Sequence, residues 1–484
     1  MPDKRPRRPA TSAPAGATTR VEHDLLGDRD VPTAALYGIH TLRSTENFPI
    51  SAVRIGQVPE LIEALACVKH AAATANQELG MLTRKRANAI RKACAELRAG
   101  QWHDHFVVDL IQGGAGTSTN MNANEVIANR GLEILGHDRG DYVHLHPLDH
   151  VNMSQSTNDV YPTALNIALS FLIRELLTSM GWLRERFEQK QAEFADVLKM
   201  GRTQLQDAVP MTLGQEFSAF AVTLGEDEKR LAEALALLQE INLGATAIGT
   251  GINTHPAYAP LACGHLAALT GLPLVTAANL VEATPDTGHY VQLSGVLKRV
   301  AVKLSKTCND LRLLSSGPRA GFNEINLPPV QAGSSIMPGK VNPVIPEVVN
   351  QVAFEVIGAD VTITMAAEAG QLQLNAFEPI IALSLFRGLT HLRAAIDVLA
   401  DRCVAGITAN VEWARHQVET SPSLVTALGP AIGYEAATTI AREAIATGRT
   451  VRELVLEHGL MAEADLDDAL SPAALTQPRR SRGR

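Results

Sequence analysis

The segment Gly333–Pro343 reads GSSIMPGKVNP and places flexible, nucleophilic and cationic residues side by side. Gly333 and Gly339 allow backbone angles that other residues avoid, and Pro338 and Pro343 prevent a helix from running through the segment. The pattern therefore predicts a loop outside regular structure. Its residue types predict that this loop is mobile and catalytic.

Four side chains of this loop carry the predicted chemistry. Ser334 and Ser335 offer hydroxyl groups that no helix constrains. Lys340 adds a positive point charge, and Asn342 adds an amide that both donates and accepts hydrogen bonds, so the set suits an anionic group such as a carboxylate. Gly, Ser and Pro are also ordinary turn residues, so a surface turn between two helices is the alternative.

The composition favours a mostly helical protein with a large core. The chain has 484 residues, of which 46% are hydrophobic and only 4% aromatic. Recurring alanine and leucine favour helix packing over a β-sandwich, which needs more aromatic and β-branched residues. The length fits two to four domains or one elongated helical body, and a sizeable enzyme is expected.

The charge is distributed unevenly along the chain. The formal net charge is −8, yet residues 1–20 and 477–484 are both basic, which leaves about −16 on the body between them. Such a body predicts no nucleic-acid partner, and its average field repels a small dianion. Any anion site must therefore be locally positive, and Lys340 meets that requirement. The two basic ends are predicted to be disordered tails without a catalytic role.

Cysteine usage and hydropathy predict a cytoplasmic protein. The five cysteines are widely spaced, odd in number and without a CxxC pair, which favours reduced thiols over a disulfide framework or a zinc site. They are Cys67, Cys94, Cys263, Cys308 and Cys403. The basic start lacks an apolar stretch, and no run of eighteen apolar residues occurs, so neither export nor a membrane partner is expected.

Two polar segments precede helix-compatible stretches. Gly113–Glu125 reads GGAGTSTNMNANE, in which the hydroxyls of residues 117–119, beginning with Thr117, are predicted to cap a helix and leave backbone N–H groups for an anion. Asp149–Thr163 reads DHVNMSQSTNDVYPT and places residues 156–158 before a long apolar stretch. Capping without any ligand is the alternative for both segments.

A third polar segment, Met200–Thr212, reads MGRTQLQDAVPMT and is predicted to link two long helices. It supplies more hydroxyl and amide groups, including those of Thr203 and Gln204, than a simple connector needs. A solvated connector is the alternative. Farther along, Gly244–Thr254 is a run of small residues that suits close approach of the backbone.

Very long helices are predicted in the middle of the chain. Helices of about thirty residues exceed what a small globule uses, so an extended bundle is expected. The predicted helices are Thr163–Val197, Thr212–Asn242, His289–Ser316 and one from Glu347 onward. The predicted domains are residues 21–151, a central long-helix domain 152–405 that carries the loop 333–343, and a small helical domain 406–476, with tails at 1–20 and 477–484.

The loop and the three polar segments together resemble the aspartase/fumarase superfamily, whose hallmark is a loop of the form GSSxMPxKxNP. The resemblance extends from about Val21 to about Leu470 and includes GGAGTSTNMNANE, VNMSQSTND and GRTQLQDAVPMTLGQE. It implies a three-domain subunit whose long central helices form a twenty-helix core in a homotetramer. Each active site would then be built from segments of three subunits.

Within the superfamily the details resemble the aspartase branch. This resemblance implies reversible removal of ammonium from L-aspartate by anti-elimination, with fumarate as the product. Ser334 would be the general base, and Lys340 and loop N–H groups would stabilise its anion as the loop closes. The substrate contacts implied besides Lys340 are Thr117, Ser156, Thr157, Asn158, Thr203, Gln204, Ser335 and Asn342. No metal or organic cofactor is implied for the chemistry, and an activating divalent cation stays open.

Gln204 separates the alternatives. Fumarases and many relatives carry GRTH at this point, with a histidine in proton transfer or substrate contact, whereas this chain has GRTQ. Glutamine only hydrogen-bonds at neutral pH, which disfavours a class II fumarate hydratase. A catalytically inactive structural or binding relative is the other alternative, and the intact loop argues against it. His150 and His289 are predicted to be structural.

Overall fold

Helices form most of residues 18–478, which is the part of the chain that the computed structural model describes. The mostly α class predicted from composition is confirmed. The helices are α1 (Ile39–Asn47), α2 (Pro59–Glu78), α3 (Arg84–Arg98), α4 (Thr117–Leu135), α5 (Thr157–Glu193), α6 (Leu213–Leu237), α7 (Tyr258–Thr270), α8 (Leu280–Ala283), α9 (Gly288–Leu314), α10 (Val344–Glu368), α11 (Glu378–Arg402), α12 (Val411–Thr420), α13 (Gly429–Ile432), α14 (Tyr434–Thr447), α15 (Val451–Glu457), α16 (Glu463–Ala469) and α17 (Pro472–Thr476).

The strands in the described residues are short and form two-stranded sheets between the helices. The β1–β2, β3–β4 and β7–β8 pairs are antiparallel, and the β5–β6 pair is parallel. The strands are β1 (Thr19–Asp24), β2 (Gly27–Pro32), β3 (Leu198–Thr203), β4 (Gln206–Thr212), β5 (Glu240–Ile241), β6 (Val275–Thr276), β7 (Ile325–Asn326) and β8 (Thr408–Ala409).

The chain divides into two compact units. The first unit contains the chain up to Leu176 together with Arg230–Lys298 and Glu355–Thr390. The second unit contains Leu177–Lys229, Arg299–Phe354 and the chain from His391 onward. In the first unit α2 packs against α3, α4 and α7, and in the second the short helices α12–α17 enclose a core of their own. The domain boundaries after residues 151 and 405 stay a prediction.

The long helices predicted from sequence are present, and the start of α5 differs most from its prediction. It begins at Thr157, six residues before the predicted Thr163, and therefore contains Pro162. Proline lacks an N–H, so the carbonyl of Asn158 loses its partner within the helix. The Nδ2 of Asn242 donates to that carbonyl at 3.0 Å instead, which explains why the helix tolerates the proline.

The predicted polar link Met200–Thr212 joins two long helices, as expected, and it is largely a β-hairpin, which the sequence pattern did not predict. Strands β3 and β4 pair antiparallel with a register shift between Met200 and Arg202, and Gln204 and Leu205 form the two-residue turn with φ of 54° and 63°. Turns of this kind usually contain Asn or Gly, because both central residues need positive φ. The Gln-Leu pair gave no such signal, so the sequence pattern missed the hairpin.

The predicted N-terminal tail extends two residues too far. Thr19 and Arg20 belong to strand β1, and Arg20 donates to the carbonyl groups of Pro32, Ala35 and Tyr37 and pairs with Glu22. A guanidinium with this many fixed acceptors holds the first strand onto the following loop. Residues 1–17 of that predicted tail, and residues 479–484 of the other, lie outside the described residues.

By length and composition alone, α5 and α10 are apolar enough to cross a membrane. In α5, 78% of the apolar window is buried within the chain, as in a core helix, whereas in α10 only 33% is buried. Large apolar side chains of α10 that stay exposed include Phe354, Val361 and Met365. The five cysteines are buried thiols.

Candidate active site

The loop Gly333–Pro343 lies outside helices and strands, as predicted. Two hydrogen bonds close its base: the N–H of Gly333 donates to the carbonyl of Lys340, and the Nδ2 of Asn342 donates to the carbonyl of Gly333, both at 2.9 Å. A Cβ atom on Gly333 would come within 2.4 Å of the Lys340 carbonyl oxygen. Glycine is therefore required for the two ends of the loop to approach each other.

Ser334 has an environment that suits a base. Its Oγ accepts hydrogen bonds from the backbone N–H groups of Ile336 and Met337, each at 3.2 Å. Hydrogen bonds from N–H groups to an oxygen become stronger when that oxygen carries negative charge. The loop backbone thus provides two fixed donors that favour the anionic form of this hydroxyl.

Lys340 is the exposed cation of the loop. Among residues 18–478 its Nζ has no acidic partner, so its charge is available to an external anion. Ser335 is exposed next to Ser334. Asn342 already uses its Nδ2 to close the loop, so its structural task is shown, while its contact with substrate stays a prediction.

The start of α4 is built differently from the prediction. The residue before its first turn is Gly116 with φ of 89°, and no side chain caps the helix at this position. The hydroxyl of Thr117 instead donates to the carbonyl of Gly114 at 2.7 Å, and Gln112 accepts from the N–H of Thr119. Gly116 is needed because a Cβ atom there would lie 2.4 Å from the ring of Tyr161.

The start of α5 has the expected polar cap. The Oγ of Ser156 accepts from the N–H of Asn158 at 3.3 Å, and Asp159 accepts from the N–H of Ser156 at 2.9 Å. The hydroxyl of Thr157 accepts from the Nδ2 of Asn120 on α4 at 3.0 Å. The first turns of α4 and α5 therefore adjoin in the first unit, and two of the predicted polar segments come together there.

The hairpin β3–β4 presents Thr203 and Gln204 at its tip. Below the tip, Arg202 donates to the carboxylate of Glu324 at 2.7 Å, and Lys199 pairs with the same carboxylate at 2.8 Å. Glu324 is almost completely buried, so a buried charge cluster in the second unit holds the base of the hairpin. Removing one partner of such a buried cluster strongly lowers the free energy of unfolding, so the cluster holds the strands next to the tip in place.

The predicted site residues thus fall into two groups. Thr117, Ser156, Thr157 and Asn158 belong to the first unit, at adjoining helix ends. The second unit holds Thr203, Gln204, Ser334, Ser335, Lys340 and Asn342. Within the described residues, Asn120 of α4 donates to Thr157 of the first group, whereas the hydrogen bonds of the second group hold the hairpin tip and the loop as separate elements.

Comparisons with known proteins agree along nearly the whole chain. A family model described as Lyase matches residues 27–358, and one described as Fumarase C C-terminus matches residues 424–477. The aspartate ammonia-lyase of Pseudomonas fluorescens is 60% identical over 96% of this chain and 98% of its own length, and that of Escherichia coli (strain K12) is 56% identical over 95% and 96%. The chain belongs to the aspartase/fumarase superfamily.

Solved structures of this superfamily have the same fold. A fumarate lyase:delta crystallin from Brucella melitensis, described as bound to cobalt, is 56% identical and superposes with a TM-score of 0.93 over 95% of this chain and all of that chain. A class II fumarase from Schistosoma mansoni is 35% identical, with a TM-score of 0.91 over 96% of this chain and all of that chain. The resemblance drawn from GSSIMPGKVNP is confirmed.

A buried lysine, which was not predicted from the sequence, lies below the first group of site residues. The Nζ of Lys69 on α2 donates to the side-chain oxygens of Asn120, Asn152 and Gln155 at 2.6 to 2.9 Å. Burial lowers the pKa of Lys69 to about 7, but three acceptors match the three N–H groups of an ammonium and favour the charged form. Lys69 fixes the amide of Asn120, which in turn donates to Thr157.

One signal in the sequence points to Lys69. It stands four residues after Leu65 and three before Ala72, and therefore lies on the buried face of α2. A lysine on such a face needs polar partners, because a buried charge without them is costly. The sequence shows a lysine at a buried position of the helix, but it does not show which three amide side chains contact that lysine.

We expect Lys69→Met to lower the free energy of unfolding by about 2 to 3 kcal/mol, because it leaves three buried amide oxygens without their donor. The Asn120 amide would also lose its fixed orientation, so the KM for substrate should rise at least about 10-fold. Thermal unfolding and steady-state kinetics measure the two effects. The matched control is Lys92→Met, at an exposed position of α3, which should change neither quantity.

Asp159 is a second buried charged residue that was not predicted as part of the site, although it belongs to the QSTND motif. Its buried carboxylate accepts from the N–H groups of Ser156, Gly244 and Thr246 at 2.9 to 3.0 Å. Burial raises the pKa of Asp159 to about 6, and the three N–H donors act in the opposite direction. Asp159 thus fixes the small-residue segment Gly244–Thr254 against the start of α5.

His150 and His289 have internal partners, in line with the structural role predicted for them. The Nδ1 of His150 accepts from the N–H of His146 at 2.8 Å, and burial lowers the pKa of His150. His289 hydrogen-bonds to Asn166 at 3.2 Å and packs on the ring of Tyr290. Neither histidine is needed to explain the proposed proton transfer.

Proposed function

We propose that this chain is a carbon–nitrogen lyase that reversibly removes ammonium from L-aspartate to give fumarate. The observation that carries the proposal is 55 to 60% identity, over nearly the full length, to proteins named aspartate ammonia-lyase. The complete GSSIMPGKVNP loop adds chemical support, since it retains the base, the cation and the glycines that the reaction needs.

Ser334 acts as the general base in this proposal. The proton on C3 of aspartate is weakly acidic, and its removal places negative charge on the neighbouring carboxylate. A serine hydroxyl becomes a sufficient base only when its anion is stabilised. The N–H groups of Ile336 and Met337 and the charge of Lys340 supply that stabilisation, and loop closure strengthens it by expelling water.

The hydroxyls and amides at the starts of α4 and α5 receive the substrate carboxylates in this proposal. Thr117, Ser156, Thr157 and Asn158 offer short, neutral donors, and the Lys69–Asn120 pair below them keeps Thr157 in place. Thr203 and Gln204 extend the set from the hairpin tip. Preplaced donors suit a transition state with two negative charges on one carboxylate, because no reorganisation is needed when the charge develops.

We propose a homotetramer in which these groups meet across subunits, so that each active site draws residues from three copies. The exposed apolar side chains of α10, such as Phe354, Val361 and Met365, support burial of this helix against other copies. A window that is only 33% buried within one chain is unusual for such an apolar helix in water. The two groups of site residues would then belong to one assembled site.

We propose that the reaction needs no organic cofactor, since a base, a cation and hydrogen-bond donors account for each step. Activation by a divalent cation is a separate proposal, and the cobalt described for the Brucella melitensis structure supports looking for one. Buried thiols throughout the described chain support a cytoplasmic location for a protein that breaks down an amino acid.

A paired assay tests the proposed function. The purified protein is incubated with L-aspartate or with L-malate, and fumarate is followed by its ultraviolet absorbance. We expect kcat/KM to be at least about 100-fold higher for aspartate, because Gln204 cannot transfer a proton to or from water. Fumarate from malate alone would establish a hydratase instead, and no fumarate from either compound would establish an inactive relative.

A further inference from the structure

A cluster of metal-ligating side chains lies in the loop that follows α4, in the first unit. His137, Asp141 and His144 each offer one ligand atom, and these atoms all lie within 4.8 Å of one another. The Nδ1 of His137 is 3.8 Å and the Nε2 of His144 is 3.5 Å from the same carboxylate oxygen, Oδ2 of Asp141. None of the three belongs to the site groups described above.

The two imidazole rings are stacked, with centroids 3.7 Å apart and planes 10° from parallel. Each ring keeps one nitrogen within 4 Å of the same Asp141 oxygen, so two imidazole nitrogens and one carboxylate oxygen lie together. The side chains are partly exposed, so an ion can enter from solvent. In the stack the two rings lie face to face. They must therefore rotate before one nitrogen of each can bind the same ion at about 2.0 to 2.2 Å.

The backbone that carries these ligands is fixed on both sides. At the end of α4 the N–H of His137 donates to the carbonyl of Leu132 at 2.9 Å, and the N–H of Gly140 donates to Oδ1 of buried Asn129 at 2.8 Å. The Nε of Arg86, on α3, donates to the carbonyl of His144 at 2.8 Å. Only side-chain rotation is therefore needed to close the cluster around an ion.

We propose that His137, Asp141 and His144 bind one divalent transition-metal ion per chain, of the Zn²⁺, Co²⁺ or Ni²⁺ class. Two imidazole nitrogens and one carboxylate oxygen are ligands that these ions prefer, with water at the remaining positions. Mg²⁺ and Ca²⁺ prefer oxygen-rich sites and are not expected to bind here. The bound ion cross-links three residues of the loop after α4 and takes no part in the elimination.

Calorimetric titration of the full-length, chelator-treated protein with ZnCl₂ tests this site. We expect one Zn²⁺ per chain, an affinity at least about 100-fold lower in the His137→Ala/His144→Ala double variant, and an intermediate loss in Asp141→Asn. MgCl₂ should give the same heat with the wild type and with the double variant, since Mg²⁺ is not expected to bind at the cluster. The control His255→Ala removes an exposed histidine outside the cluster and should retain the wild-type affinity.

Thermal unfolding provides a second readout that does not depend on activity. At a free Zn²⁺ concentration 100 times its Kd, the folding equilibrium constant of the wild type should rise about 100-fold, with a matching increase in Tm. The double variant should show no increase while keeping the metal-free Tm of the wild type. Absence of a one-per-chain site, or unchanged zinc affinity in the double variant, would overturn the proposal.

Discussion

Replacing Ser334 by alanine should lower the kcat of fumarate formation from L-aspartate by at least about 1000-fold, while the protein keeps its fold. A positioned general base contributes about 100- to 10,000-fold to a rate. The substitution also removes the oxygen that accepts hydrogen bonds from the loop N–H groups of Ile336 and Met337. A loss of this size corresponds to about 4 kcal/mol of transition-state stabilisation.

The fold should survive this substitution for a structural reason. The bonds from Gly333 to Lys340 and from Asn342 to Gly333 close the loop without using the Ser334 side chain. Steady-state kinetics and thermal unfolding of the same preparation separate catalysis from stability.

Ser335→Ala is the matched control, since it removes the neighbouring exposed hydroxyl. It should act mainly on KM, by about 10-fold, because Ser335 is predicted to bind substrate and not to take the proton. A Ser334→Ala variant that keeps more than a tenth of the wild-type kcat would exclude Ser334 as the base.

Replacing Lys340 by methionine should lower kcat/KM for L-aspartate by about 100- to 1000-fold. The body of the chain carries about −16, so its average field opposes a dicarboxylate, and Lys340 is the cation that the loop brings to it. Removal of a preplaced donor from a charged transition state typically costs a factor of this size. Methionine keeps the length and apolar stem of the side chain, so packing changes little.

The salt dependence of the rate distinguishes charge from shape. Raising the ionic strength should lower kcat/KM of the wild type more than that of Lys340→Met, because screening acts on the attraction that the variant has already lost. Lys85→Met, at an exposed position of α3, is the control and should behave like the wild type. Equal salt dependence in wild type and Lys340→Met would show that Lys340 does not attract the substrate through its charge.

Local residue chemistry was enough to predict several parts of the site. The glycines and prolines of Gly333–Pro343 exclude a helix by their own backbone restrictions, so the loop could be predicted without any partner. The polar entrance of α5 was predicted for the same kind of reason, since Ser156 satisfies an N–H of its own helix. The family, too, follows from residues that are close together in the chain.

Other features depend on partners that are distant in sequence. Pro162 disfavours a helix, because it leaves one helix carbonyl without its N–H partner. In the structure the side chain of Asn242 donates to that carbonyl. The Gln204–Leu205 turn lacks the Gly or Asn by which such turns are predicted, and the hairpin depends on the pairing of β3 with β4. Thr117 was expected to cap α4, but Gly116 takes that place because the ring of Tyr161 leaves no room for a side chain.

By itself the sequence determined the helical class, the non-helical loop Gly333–Pro343 and the superfamily, because backbone restrictions, helical periodicity and a short motif are properties of neighbouring residues. The tertiary structure alone decided that Lys69 fixes Asn120 and Thr157, that Asp159 fixes Gly244 and Thr246, and that His137, Asp141 and His144 converge. A buried charge or a ligand cluster is defined by the groups that surround it in space, and their identities are set only when the chain has folded.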